Sequence, residues 1–139
     1  MATLLAHITV RPGCEARFEQ IAKEMYRRTH ADEADPWRYE YWRGAEPRTY
    51  YCLESFSDYL GFLAHQTSPH HESASPALGE VIEGLRLEWV DPMATGSPLN
   101  PTNHTPLPTD ASELERAYHE RFAATVQDWW LDLREAEAR

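Results

Sequence analysis

Three histidines, His65, His70 and His71, fall within the stretch LAHQTSPHHESASPALG, Leu63 to Gly79. Imidazole titrates near neutral pH, so such a set can move protons, ligate a metal ion or hold a turn in place. His65, His70, His71 and Glu72 have the side chains a metal would need. Their spacing matches neither a His-Glu-x-x-His helix nor a two-histidine, one-carboxylate set, so no metal ligand is assigned. For acid/base work the order is more suggestive. His65 follows Phe62 by three residues and Gly61 by four, so one helical face presents the imidazole over a ring and a gap. Glu54, at the end of the preceding β-like run, can orient or charge that imidazole. His70 sits just past Pro69, where a side chain can bond free backbone groups of a turn, and His71 beside it must point elsewhere. The competing reading is scaffold, with the histidines locking a helix pair onto a strand.

The chain that must position them has 139 residues, enough for one domain with a modest core and an appendage. Hydrophobic residues make up 42%, and five Trp and seven Tyr could fill a core or wall a pocket for a flat, partly polar ligand. A net charge of −10 argues against nucleic-acid and anionic-membrane partners. No run approaches the roughly 20 apolar residues that span a bilayer, and MATLLAHITV has no basic leader, so a cytoplasmic location is expected. Cys14 and Cys52 form no motif with each other. Asn103-His104-Thr105 fits a glycosylation sequon but has no secretion signal to support it.

Period-two alternation marks a strand over TLLAHITV, broken by Arg11-Pro12-Gly13. Phe18, Ile21, Ala22, Met25 and Thr29 then recur at helical spacing from Cys14 to His30. WRYEYWR and RTYYCLESF read as a hairpin across Gly44 to Pro47, and Ser57 is expected to cap a helix that stops near Ser68-Pro69. Ser75-Pro76 starts a second helix, and GLRLEWV is a last strand, Gly84 to Val90. The order βαββαβ predicts an α+β, ferredoxin-like domain: an antiparallel sheet with helices on one face, over residues 1–92. The other face is most simply covered by a second copy, making a homodimer with a barrel-like centre. Residues 93–110 read as a Pro-rich linker, and 111–139 as an extra C-terminal amphipathic α-helix carrying Leu114, Tyr118, Phe122, Trp129 and Leu133. That helix clasps a partner or, with Trp129 and Trp130, lids the pocket.

The segment ESFSDYLGFLAHQTSPHHESA resembles the signature of the antibiotic biosynthesis monooxygenase (ABM) domain family. Glu54, Phe56, Ser57, Asp58, Phe62, His65, Ser68 and His70 occupy its places. HITVRPGCEARFEQI resembles the family's first strand, Pro-Gly turn and helix, and Arg38-Tyr39-Glu40 its second strand; the likeness covers residues 3–92. It implies a dimeric α+β barrel with a pocket between sheet and helices. It also implies a cofactor-independent monooxygenase that oxidises a small aromatic, phenolic, polyketide-like molecule with O2. Similar domains include haem-degrading enzymes and a sugar-phosphate isomerase.

Oxygenation without a cofactor takes its electrons from the substrate as a phenolate or carbanion. The protein must then remove a proton, hold the anion and keep the cavity dry. His65, Glu54 and His70 are the candidate catalytic residues, and Arg86, Tyr50, Phe62, Trp37, Tyr39 and His7 the candidate substrate contacts, with Arg86 the expected inward-facing cation. Core or interface filling is the alternative for each aromatic, because the pattern does not say which strand face lines the pocket. Three other functions compete: an acid/base isomerase or cyclase on the same fold, a non-catalytic dimeric binding module, and a haem-binding or haem-degrading protein.

Overall fold

In the computed structural model, which describes residues 1–93 and 95–137, alternation decides the first strand. Leu4, Ala6, Ile8 and Val10 of β1 (Ala2–Val10) are buried, while Leu5, His7 and Thr9 are half-buried on the opposite face. The chain leaves β1 through a turn closed by the Cys14 N–H on the Arg11 carbonyl at 3.0 Å. Pro12 and Gly13 form its corner. Gly13 has φ 79°, a left-handed value that glycine adopts without strain. α1 (Glu15–Asp32) then buries Phe18, Ala22, Met25 and Thr29, the i, i+4, i+7, i+11 stripe of an amphipathic helix.

β2 (Pro36–Arg43), β3 (Thr49–Phe56) and β4 (Ile82–Trp89) complete a four-stranded antiparallel sheet in the order β2-β3-β1-β4. This is the expected ferredoxin-like α+β arrangement. The register aligns Tyr39, Glu54, Leu4 and Trp89 in one row across the helix-covered face, and Tyr41, Cys52, Ala6 and Leu87 in the next. Ala6 and Cys52 are the small members of that second row, and they leave room above mid-sheet. The opposite face carries Leu5, His7, Tyr51, Leu53, Trp42, Arg86 and Glu88, with no second layer among the described residues.

Three boundaries differ from the sequence-based expectation. The cap of α2 (Tyr59–Gln66) is Asp58, whose carboxylate accepts from the Gly61 N–H at 2.9 Å; Ser57, the expected cap, lies one residue too early. α3 (Pro69–Val81) begins at Ser68-Pro69, not at Ser75-Pro76. Ser68 Oγ accepts from the His71 N–H at 3.3 Å, and Pro69 takes the first helical position, where no N–H is needed. The same signal at Ser75-Pro76 loses to it, leaving Pro76 inside the helix. The expected C-terminal helix is two: α4 (Glu113–Phe122) and α5 (Asp128–Glu137), with residues 138 and 139 outside the described residues. A reciprocal box starts α4, with Glu115 N–H on Ser112 Oγ at 3.2 Å and Ser112 N–H on Glu115 Oε2 at 2.7 Å. Ala123 then turns extended, and β-branched Thr125 and Val126 follow before α5 restarts.

The Pro-rich segment between β4 and α4 is fastened to the domain. Thr102 is fully buried, donates from its hydroxyl to the Val90 carbonyl at 2.6 Å and accepts from the Thr3 N–H at 3.2 Å. Arg134 of α5 ties the strap to Asp91 at 2.6 Å. No helix among the described residues is long and apolar enough to cross a membrane.

The cap assignment predicts a contrast. Asp58→Ala lowers the unfolding free energy by about 1 kcal/mol, whereas Ser57→Ala leaves it within about 0.5 kcal/mol. Urea denaturation of both variants checks this, and the reverse order would contradict it.

Candidate active site

Between the sheet and the helices lies a cavity of about 450 Å³, within the range of small-molecule sites. Its sheet wall holds Ala6, Tyr39, Tyr41, Cys52 and Glu54; α2 and α3 contribute His65, Gln66 and His71; α4 contributes Tyr118, Arg121 and Phe122. Two grooves of about 770 and 760 Å³ are larger but lie outside this layer, on either side of α1. Glu54, His65 and His71 share only the inner cavity.

His65 is 1% exposed and caged by rings: Tyr39 at 4.8 Å, His71 at 5.2 Å and Phe56 at 5.5 Å between centroids. Its Nδ1 donates to Glu33 Oε1 at 2.9 Å. Its Nε2 has no protein partner among the described residues, so the carboxylate holds one face of the imidazole and leaves the other for chemistry. Glu33 is the C-cap of α1, its N–H bonded to the Thr29 carbonyl at 3.2 Å. A carboxylate there opposes the helix dipole, and two imidazoles offset that repulsion. His70 Nε2 stands 2.8 Å from the same oxygen, 3.2 Å from Thr29 Oγ1 and 3.4 Å from Ser68 Oγ.

Glu54 is buried with Oε2 unpartnered, and half-buried His71 has its Nδ1 buried and unpartnered. Leaving such an atom unpaired ordinarily costs about 1–3 kcal/mol, and both residues border the cavity, so they offer a ligand hydrogen bonds the fold does not use. Burial raises the Glu54 carboxyl above its usual range, with His65 pulling the other way and Glu33 adding to the rise. Burial pushes His71 down to about 3, with His65 and His70 reinforcing it. Burial likewise raises the Tyr39 and Tyr41 phenols and the Cys52 thiol, so these three groups stay uncharged. A buried carboxyl whose pKa is raised, a neutral imidazole and a carboxylate-oriented imidazole around one cavity are the makings of proton transfer to and from a bound molecule.

Of the candidates named from sequence, the structure brings His65, Glu54 and Tyr39 to this cavity. His70 faces α1 and the outer groove, shares Glu33 with His65, and meets that imidazole edge-on at 6.1 Å between centroids. Phe62 is fully buried beneath α2 against Trp89 at 5.0 Å, and Tyr50 donates to Glu19 at 2.8 Å in the groove beside β2. Trp37 is 65% exposed on the edge strand. Arg86 and His7 are corrected in placement: register pairs them on the open sheet face, where both meet Glu88, at 3.0 and 2.9 Å. Sequence reasoning passed over Glu33, Arg121, Tyr118 and Phe122. An acid at a helix C-terminus was the available signal for Glu33.

Glu33, His65 and His70 also bring two imidazole nitrogens and a carboxylate oxygen within 4.8 Å of one another, a donor set that a divalent first-row metal accepts. Glu33 and His65 already satisfy each other by a hydrogen bond, which makes the set a positioning device without any ion.

His71 generates a pH prediction. Its folded pKa lies below the ordinary 6.5, so the unfolded chain takes up the proton first as pH falls. Stability is intact above about pH 6.5 and is lost toward about pH 3, at up to about 1.4 kcal/mol per unit. Glu54 has the opposite sign, its raised carboxyl favouring the fold at low pH and losing that contribution as pH rises through the raised value. Urea titrations of His71→Asn should therefore show a shallower loss of stability than the parent between about pH 6.5 and 4. Parallel curves would contradict a neutral, half-buried His71.

The family model for antibiotic biosynthesis monooxygenase matches residues 1–77. Solved structures share the fold. PA3566 of Pseudomonas aeruginosa is 21% identical with a TM-score of 0.62, covering 67% of this chain and 94% of its own. Rv0793 of Mycobacterium tuberculosis is 18% identical with a TM-score of 0.62, covering 69% and 98%. A third structure, described as an antibiotic biosynthesis monooxygenase, is 15% identical with a TM-score of 0.61, covering 66% and 97%. Comparison with proteins of curated function finds no match. With β1 through most of α3 inside the matched region, and the cavity residues of β1, β2 and β3 among them, the chain belongs to the antibiotic biosynthesis monooxygenase family.

Proposed function

We propose that the protein is a cofactor-independent monooxygenase that oxidises a small aromatic phenol in the inner cavity. The observation that carries this reading is the carboxylate-held His65, which faces an aromatic cavity together with the buried Glu54. His65 Nε2 takes the proton of a bound phenol or of its activated carbon. The resulting anion lies against the Tyr39, Tyr41 and Phe122 rings, with His71 and Glu54 supplying hydrogen bonds. The electron-rich anion itself reduces O2. One oxygen atom enters the ring as a carbonyl, the other leaves as water after taking up the two hydrogens removed from the substrate, and the product is a quinone. The low-dielectric wall raises the energy of the anion relative to water and so favours its oxidation. A homodimer belongs to the same reading, a second copy covering Trp42, Tyr51 and Leu53 on the open sheet face.

The test uses 1,8-dihydroxy-9-anthrone as probe, with oxygen uptake and quinone absorbance as readouts. His65→Gln reduces turnover by at least about 100-fold without a change in fold by circular dichroism, the usual scale for a lost general base. Dialysis against EDTA leaves the rate unchanged. A rate lost to EDTA and restored by one divalent ion would move the chemistry to the Glu33, His65, His70 set. Turnover that persists without oxygen would instead mark an acid/base isomerase, and full activity in His65→Gln would remove the assigned base.

A further inference from the structure

α4 lies beyond the residues that the family model matches, yet it forms part of the cavity wall through Tyr118, Arg121 and Phe122. It is held there by side chains. Tyr118 donates to Glu72 of α3, the Tyr59 hydroxyl and His119 Nδ1 lie 2.8 Å apart, and Phe122 meets Phe62 at 6.5 Å between centroids. Tyr118 and Phe122 stack on each other at 6.2 Å, one turn apart. The capping box at Ser112 fixes the start of the helix. The wall is therefore a placed element with its own anchors.

Arg121 is the single cation among the residues that line this cavity. Its guanidinium lies over the half-buried Phe122 ring, 4.7 Å from the centroid, which orients it. Arg121 enters no ion pair among the described residues. The two carboxyls of the same cavity do not satisfy it. Glu83 is paired with Arg48 at 2.7 Å, and Glu54 is buried on the sheet wall and makes no ion pair with Arg121. Arg121 is exposed, which puts it at the solvent end of a cavity whose other end is the buried Tyr39, Cys52 and Glu54 wall.

We infer that α4 supplies the anion-recognition point of the site, and that the cavity takes an aromatic ligand bearing a carboxylate or comparable anionic group, bound by Arg121 at the mouth. A preorganised guanidinium with free donors suits a planar carboxylate, which it can engage by two parallel hydrogen bonds. This assignment rests on the inner cavity being the aromatic substrate site. It goes further by giving the ligand a charge and a direction: anion at the mouth, ring against the tyrosines. The protein's net charge of −10 repels anions in bulk, so a preference for one must come from a local cation.

The experiment compares binding of 3-hydroxy-2-naphthoate and uncharged 2-naphthol to the full chain at neutral pH by quenching of tryptophan fluorescence. The acid binds about tenfold more tightly than the alcohol, the scale of one partly exposed charge-assisted contact. In Arg121→Gln the advantage falls to within about twofold, while Arg121→Lys keeps part of it. Equal affinities in the parent, or an advantage that survives in Arg121→Gln, overturn the role of Arg121 and leave the aromatic site standing. Binding of neither probe overturns the aromatic site as well.

Discussion

A carboxylate placed against the grain of a helix dipole holds the site together. Glu33 ends α1 where a negative charge is least welcome, and the imidazoles of His65 and His70 make the position tenable. One oxygen thus ties three helices: α1 through its own backbone, α2 through His65 and α3 through His70. The order of the signature follows from this. Ser68 must cap α3 so that His70 and His71 leave the first turn in different directions, one toward Glu33 and the other toward the cavity. The Glu33–His65 bond is also what turns a buried histidine into a base with one nitrogen committed and one free.

The sheet supplies the complementary constraint. Because β1, β3 and β2 pair in register, Leu4, Glu54 and Tyr39 share a row, and small Ala6 and Cys52 sit in the next. The cavity is the space those two residues do not fill. Helices from the family region roof only part of it, and α4 completes the roof. Phe122 meets Phe62 and His119 meets Tyr59 on that side, adding to the Trp89 contact from the sheet.

Period-two and period-3.6 patterns made the elements of the first 92 residues legible, because each strand and helix buries one face and the residue types say so. They also placed Glu54 and Tyr39 on strands and His65 on a helix. What they could not say is which strand face is covered, since Tyr, Trp and Arg occur on both. Arg86 lies between two leucines in sequence and still points away from the helices, because its register partner is His7. Glu33 escaped notice because its partner His65 is 32 residues away and local spacing carries no trace of a contact between a helix end and another helix. The amphipathic pattern of residues 111–137 announced that something is buried. It could not reveal that the helix breaks at Ala123, nor that Tyr118 and Phe122, rather than Trp129 and Trp130, face the site.

The central claim is that Glu33 fixes the tautomer of His65. Long-range nitrogen–proton correlation spectra of protein labelled at the histidine ring nitrogens read that tautomer directly at neutral pH, with Glu33→Gln as the assignment control. The account predicts a proton on Nδ1 and a bare, basic Nε2. A proton resident on Nε2 of His65 in the unmodified protein would contradict it.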